Sequence, residues 1–181
     1  MENGQDRVYS TLAYRGIDTK NALKFKDSGY LSYSNGTDEY FGHGIYFFEN
    51  DAREAFNFGK IVRGFDVVHI IEAKIKVEYK YIYDLIDAVT YHEYINFLED
   101  YIKDRYKDSS IVPEIVDCKI INDICNIEKY KLVRGFYRPH NKKGSSLLKK
   151  GFTRIEKCHI QLCVKDESII KNKDFYIHSF V

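Results

Sequence analysis

The chain predicts an α+β fold with a largely antiparallel sheet, and three observations carry that expectation. Apolar and β-branched runs of strand length recur from residue 8 to residue 180. Helical signals interrupt them only briefly near the start, too briefly for a doubly wound parallel sheet. One long amphipathic segment, 87–106, stands apart as an insertion.

The elements follow in order. VYSTLAYR at 8–15 reads as a strand stopping at Gly16. Asp18 is placed to cap a helix carrying Ala22, Leu23 and Phe25, with Ser28-Gly29 as its stop. SNGTD at 34–38 is a turn cluster, and 44–48 is strand-like. Asp51 with Glu54 three positions on is a helix-capping arrangement, and Gly59 is the expected end of that helix.

DVVHIIEAKIKV at 66–77 is the longest strand signal, alternating cleanly from Ala73 onward. On the helix at 87–106, Tyr91, Tyr94, Ile95, Leu98, Tyr101 and Ile102 form the expected buried stripe. Residues 109–130 read as an irregular insertion with short strands or a helix. Strands are expected at 131–137 and 153–165, a basic surface loop at 138–150, and a closing edge strand at 174–180. The expected organisation is one domain over 1–181 with a helical insertion around 87–130.

Composition narrows the function classes. At 44% hydrophobic and 30% charged residues, the 181-residue chain has globular proportions. A formal net charge of +1 gives no global basic field, so a nucleic-acid surface would have to be a local patch. Arg134, Phe136, Tyr137 and Arg138, followed by the lysines of 138–150, are the place for one, with a solvated loop as the alternative. No run approaches the roughly 18 apolar residues that span a bilayer. The polar start MENGQDRVYS lacks the apolar core of a signal peptide. Cys118, Cys125, Cys158 and Cys163 show no C-x-x-C spacing, so free thiols in the cytoplasm, and no metal, are expected. The phosphate-cradling fingerprints GxGxxG and GxxxxGK[ST] are both absent.

Three segments stand out: LAYRGI around Arg15, YFGHGIYFFENDAREAFNFG from residue 40, and KCHIQLCV around Gln161. Each has a bland explanation: a surface arginine, a turn histidine, core aromatics, an exposed strand glutamine. Alternation along the last places Ile160, Leu162 and Val164 on a core face, with His159, Gln161 and Cys163 on the other.

Together these segments resemble the ADP-ribosyltransferase superfamily, the ART/PARP-like and diphtheria-toxin-like fold. Phe41-Gly42-His43-Gly44-Ile45-Tyr46-Phe47, followed by Ala55 and Phe58, is similar to the central motif of the polymerase and diphtheria-toxin branch. Tyr14-Arg15-Gly16 departs from that branch's aromatic-His-Gly and looks like the cholera-toxin-like branch. Gln161, in His159-Ile160-Gln161, stands where the family has a glutamate.

The resemblance implies split antiparallel β-sheets with flanking helices, and NAD as substrate without a metal. It implies that the Gly16 backbone pairs with the nicotinamide amide and that Tyr46 stacks on the ring, with Phe56 or Phe58 closing the other side. Arg15 would hold ribose or pyrophosphate oxygens. Tyr14, Gly42, His43 and Gly44 complete the implied NAD-contacting set, the glycines giving the chain freedom to turn beside the ligand. Gln161 would hydrogen-bond a ribose hydroxyl but lacks the charge that steadies a developing cation, so Glu54 or Glu156 is a candidate source of it. His159 is a candidate base for an incoming nucleophile, or a solvated strand residue. The implied acceptor is a macromolecule, protein or nucleic acid. The implied setting is a cytoplasmic bacterial or phage effector, such as a toxin of a toxin–antitoxin or phage-defence pair, with a neutralising partner. A degenerate NAD-binding or partner-binding module, or an NAD glycohydrolase, is the alternative that Gln161 keeps open.

Overall fold

The computed structural model describes residues 7–37, 39–105, 117–137 and 158–176. It is an α+β protein with one mixed, mostly antiparallel seven-stranded sheet and four helices. The strands are β1 (Val8–Ile17), β2 (Ile45–Glu49), β3 (His69–Glu78), β4 (Ile82–Asp84), β5 (Leu132–Tyr137), β6 (His159–Val164) and β7 (Ile170–Phe175). The helices are α1 (Thr19–Ser28), α2 (Ala52–Asn57), α3 (Ala88–Arg105) and α4 (Asp117–Glu128). Across the sheet the order is β4-β5-β6-β2-β1-β3-β7, and only β4 runs parallel to its neighbour β5.

Around β5 and β6 both faces of the sheet are covered, whereas β1 and β3 alternate buried and exposed residues over 8–12 and 73–77. One face, with Ala13, Ile17, Phe47, Ile71, Leu132 and Leu162, packs on Ala22 and Phe25 of α1. The other is covered by two clusters. Val133 and Cys163 meet Tyr94 of α3 and Ile120, Ile121 and Cys125 of α4; Tyr14, Phe48 and Tyr137 meet Ala55 of α2.

The caps act as the sequence predicts. Asp18 accepts from the Asn21 N–H at 2.7 Å, and Gly29 ends α1 with φ +66. Asp51 accepts from the Glu54 N–H at 2.8 Å to start α2. Gly59 does not stop that helix. The chain continues through a π-turn (Phe58–Val62), and Gly64, at φ +69, reverses it. Gly59 is buried there because a Cβ would press on Val68 Cγ1 at 2.9 Å.

Other expectations shift. The strand expected from residue 66 begins at His69, since Val67 is exposed. The edge strand expected at 174–180 overlaps β7 only at 174–175, β7 starting four residues earlier, and 177–180 lie outside the described residues. Within the expected irregular 109–130, residues 117–128 form α4, whose Ile120, Ile121 and Cys125 repeat at helical spacing. Tyr91, expected in the buried stripe of α3, is 47% exposed, while Tyr94 is buried. The loop expected at 138–150 and the start of the strand at 153–165 lie outside the described residues.

Candidate functional site

The three segments singled out in the sequence lie on three adjacent strands, β6, β2 and β1. Phe48 pairs with Gln161 on one side and with Tyr14 on the other, so Gln161, Phe48 and Tyr14 form one row on the face that α2 covers. Tyr46, paired with Cys163, shares that face one step along.

The β1–β2 ladder is short: Ala13 pairs with Glu49 and Tyr14 with Phe48. Continued by two steps, this register would bring Gly16 opposite Tyr46. Instead the ladder ends there, and Gly44, just before β2, bridges to Ser34. On its other edge β1 is laddered to β3 along its whole length, from Val8–Glu78 to Ile17–His69, so Arg15 and Gly16 keep their β3 partners after β2 is lost. A divergence thus opens between Arg15-Gly16 and Ile45-Tyr46-Phe47.

Arg15 is the first residue past the last pair. Alternation puts it with Ala13 and Ile17 on the α1 side, where its Nη2 donates to Ser32 Oγ at 2.9 Å. Its Nη1 is buried without a hydrogen-bond partner, and among the described residues no carboxylate forms an ion pair with it. Burial first, then the field of Arg63, lowers its pKa to about 10. The Glu39 carboxylate acts the other way but forms no ion pair with Arg15, so the guanidinium keeps an unused buried donor that an anion could take.

Gly16 is half-buried, and its missing side chain has a structural cause. The Ala55 carbonyl of α2 fills the space a Cβ would take. The same is true of the central glycines. Gly42 sits at φ +73 under Asn122 and Lys165, and a Cβ on Gly44 would collide with Cys163 Sγ and the Val164 carbonyl. That turn is fastened from far away. Lys165 Nζ donates to the carbonyls of Phe41 and His43, both at 2.7 Å, and the His43 N–H donates to Asn122 Oδ1 at 2.8 Å. The Tyr46 hydroxyl donates to the Gly42 carbonyl and accepts from the Phe41 N–H. Burial above all raises the Tyr46 pKa far past the ordinary phenol range. Tyr46 therefore ties the turn to β2 while its ring stays half-buried.

His159 and Gln161 are not solvated; each is 4% exposed. His159 Nδ1 lies 2.9 Å from Asp51 Oδ2 and its Nε2 lies 3.2 Å from Glu54 Oε2. The D-x-x-E signal thus serves two ends: Asp51 caps α2, and both side chains grip the histidine of β6 beneath it. Glu54, 7% exposed, gives this face a buried carboxylate two residues along β6 from Gln161. Glu156 lies outside the described residues.

Phe58 belongs to an aromatic cluster, 5.7 Å from Phe48 and 5.9 Å from Tyr137, with the Arg63 guanidinium 5.3 Å over its ring. Phe56 packs against the same cluster. Tyr14 is buried beside Tyr176 at 5.3 Å, and burial, aided by a hydrogen bond to Glu72, pushes its pKa up to about 12. The Cys163 thiol is raised to about 11 by burial, which leaves it protonated at neutral pH. Arg134 leaves the basic patch, because it pairs with Glu49 at 2.8 Å and with Asp84 at 3.0 Å.

Sequence reasoning missed the Asn122–Lys165 clamp and the Asp51–His159–Glu54 cluster. Asp51 and Glu54 were visible only as a cap; Asn122 and Lys165 carry no local signal, since their partners lie 79 to 124 residues away. No helix among the described residues is long and apolar enough to cross a membrane. No family model, curated protein or solved structure significantly matches the chain.

Proposed function

We propose that the chain is an NAD-dependent ADP-ribosyltransferase acting on a macromolecular acceptor, its expected split sheets joined into one sheet by the short β1–β2 ladder. The observation that carries the reading is the opened register between β1 and β2, which leaves Arg15-Gly16 and Tyr46 on the two sides of one divergence. Arg15 supports it with a buried donor in want of an anion, the role a pyrophosphate fills. By alternation Arg15 belongs to the α1 face and Tyr46 and Gln161 to the α2 face, so one ligand reaches all three only by passing through the divergence, and Gly16 and Gly44 serve packing as well.

The chemistry breaks the bond between nicotinamide and ribose. Nicotinamide departs with the bonding electrons, the ribose carbon gains cationic character, and an acceptor nucleophile bonds to it and loses its proton. A group whose charge opposes that developing cation lowers the barrier. Gln161 supplies a hydrogen bond without charge, and Glu54 supplies a buried carboxylate on the same face. His159, engaged at both nitrogens, acts by fixing α2 and Glu54 over β6 and not as a free base.

The second reading is a module that binds NAD, ADP-ribose or a partner chain without transfer; the neutral Gln161 favours it. Incubation with labelled NAD and cell lysate separates the two. Nicotinamide release together with labelled macromolecule supports transfer. Release without label indicates a glycohydrolase, and NAD binding with neither signal at high protein concentration indicates the module. Absence of NAD binding altogether overturns the proposal.

A further inference from the structure

A hollow of roughly 350 Å³ lies on the same face of the sheet as Gln161, beyond β6, and contains none of Arg15, Tyr46 or Gln161. Six of its wall residues are aromatic: Tyr40, Phe41, Tyr91, Tyr94, Phe136 and Tyr137. They come from three separate places, namely the turn before β2, α3, and two consecutive residues of β5. Tyr40 at 42% and Tyr91 at 47% are well exposed, so the rim presents ring surface to solvent; Phe136, at 58%, pairs with Ile160 and belongs by alternation to the opposite face of β5. Rings that pack only on one another bury themselves; a ring-walled opening of ligand size leaves stacking surface unused.

Among the described residues, the one charged wall residue is Asp117, the first residue of α4. The Tyr94 hydroxyl donates to its Oδ1, which holds the carboxylate toward the rings. No lysine or arginine among the described residues pairs with it. Aromatic walls select a flat ring, and a lone carboxylate selects a ring edge that donates hydrogen bonds. A carboxylate accepting from an exocyclic amine is a known mode of base recognition. The formal net charge of +1 argues against a phosphate-dominated duplex surface and for a single unstacked base.

We propose that this hollow binds a nucleobase bearing an exocyclic amino group, stacked between its tyrosines and phenylalanines, with the amine donating to Asp117. The inference does not rest on the transferase reading. It adjoins that site nonetheless: the Phe41 ring lies over Gly135, the ladder partner of Gln161, and Tyr137 pairs with His159. A base held here stands one side-chain layer from β6, as an acceptor would.

The test uses adenosine and purine riboside, which differ only in the amino group, each titrated without NAD and followed by calorimetry. Adenosine is expected to bind about tenfold or more tightly than purine riboside, the loss expected when a carboxylate's donor is removed. Asp117→Asn, which keeps an accepting oxygen but loses the charge, is expected to reduce that preference, and Asp117→Leu to abolish it. Tyr91→Ala, at an exposed position that tolerates truncation, is expected to weaken both ligands together. Equal affinity for the two nucleosides, a preference unchanged in Asp117→Asn, or no saturation at millimolar ligand overturns the inference. NAD binding and nicotinamide release, measured separately on the same proteins, judge the transferase reading on its own.

Discussion

The carbonyl oxygen of Ala55 occupies the position at which residue 16 would carry a Cβ, so α2 closes onto β1 only over a glycine. This contact sets the height of α2 above the sheet, and with it the placement of Asp51 and Glu54 over His159. Gly16→Ala is expected to destabilise the fold by about 1–3 kcal/mol through overpacking against backbone that has no rotamer to give. Urea unfolding measures it. Wild-type stability with lost NAD use would instead assign the glycine to ligand approach alone.

Arg15 carries a cost in the folded state. Its folded pKa of about 10 lies below the ordinary arginine value, so the native state holds the proton less tightly than the unfolded chain. The charge therefore subtracts from stability at neutral pH, and the deficit shrinks only as pH rises past the folded value. Arg15→Gln removes the buried charge and is expected to raise Tm, by roughly 2–4 °C for each kcal/mol recovered. The same change is expected to abolish stabilisation by added pyrophosphate, which should raise the wild-type Tm in a dose-dependent way. A lower Tm in the variant would mean that the lost Ser32 contact outweighs the relieved charge.

Glu54 offers the sharpest separation of chemistry from folding. Glu54→Gln keeps the shape and a hydrogen bond to His159 Nε2 but removes the charge. Nicotinamide release is expected to fall about 10- to 1,000-fold with NAD affinity nearly unchanged, the mark of an interaction made in the transition state. Gln161→Glu is expected to restore part of the loss, because it puts charge back on the same buried face. An unaltered rate in Glu54→Gln would remove Glu54 from the mechanism.

How much of this was legible in the chain depended on distance along it. Asp18, Asp51 and the alternation of 159–164 are local signals, and the structure obeys them because caps and pleats are decided within a few residues. Gly42 and Gly44 were equally visible, but their reason was not. It lies in Asn122, Lys165 and Cys163, brought in by strand pairing that no window of sequence reveals. Alternation gave the two faces of β6 correctly and misjudged the second as solvated, since α2, which covers it, is positioned by β1. Arg134 failed in the opposite way. Set among aromatics it read as a basic patch, when two carboxylates from other strands already claimed it.

That pairing yields the final prediction. Arg134 Nε donates to Glu49 of β2 at 2.8 Å, across the width of β6, while Nη1 reaches Asp84 of β4 at 3.0 Å. One guanidinium thus fastens three strands, and its side chain and both carboxylates are largely shielded from solvent. Arg134→Met leaves two shielded carboxylates with no counter-charge, and the expected loss is about 3–5 kcal/mol. Adding Glu49→Gln and Asp84→Asn to the same protein is expected to recover much of it, because the cost lies in the abandoned charges and not in the missing guanidinium. Shielding should make the loss nearly independent of salt, unlike that of the exposed Lys103–Glu99 pair. Were Arg134 instead a phosphate contact, its removal would flatten the salt dependence of nucleic-acid binding and leave the unfolding curve where it was.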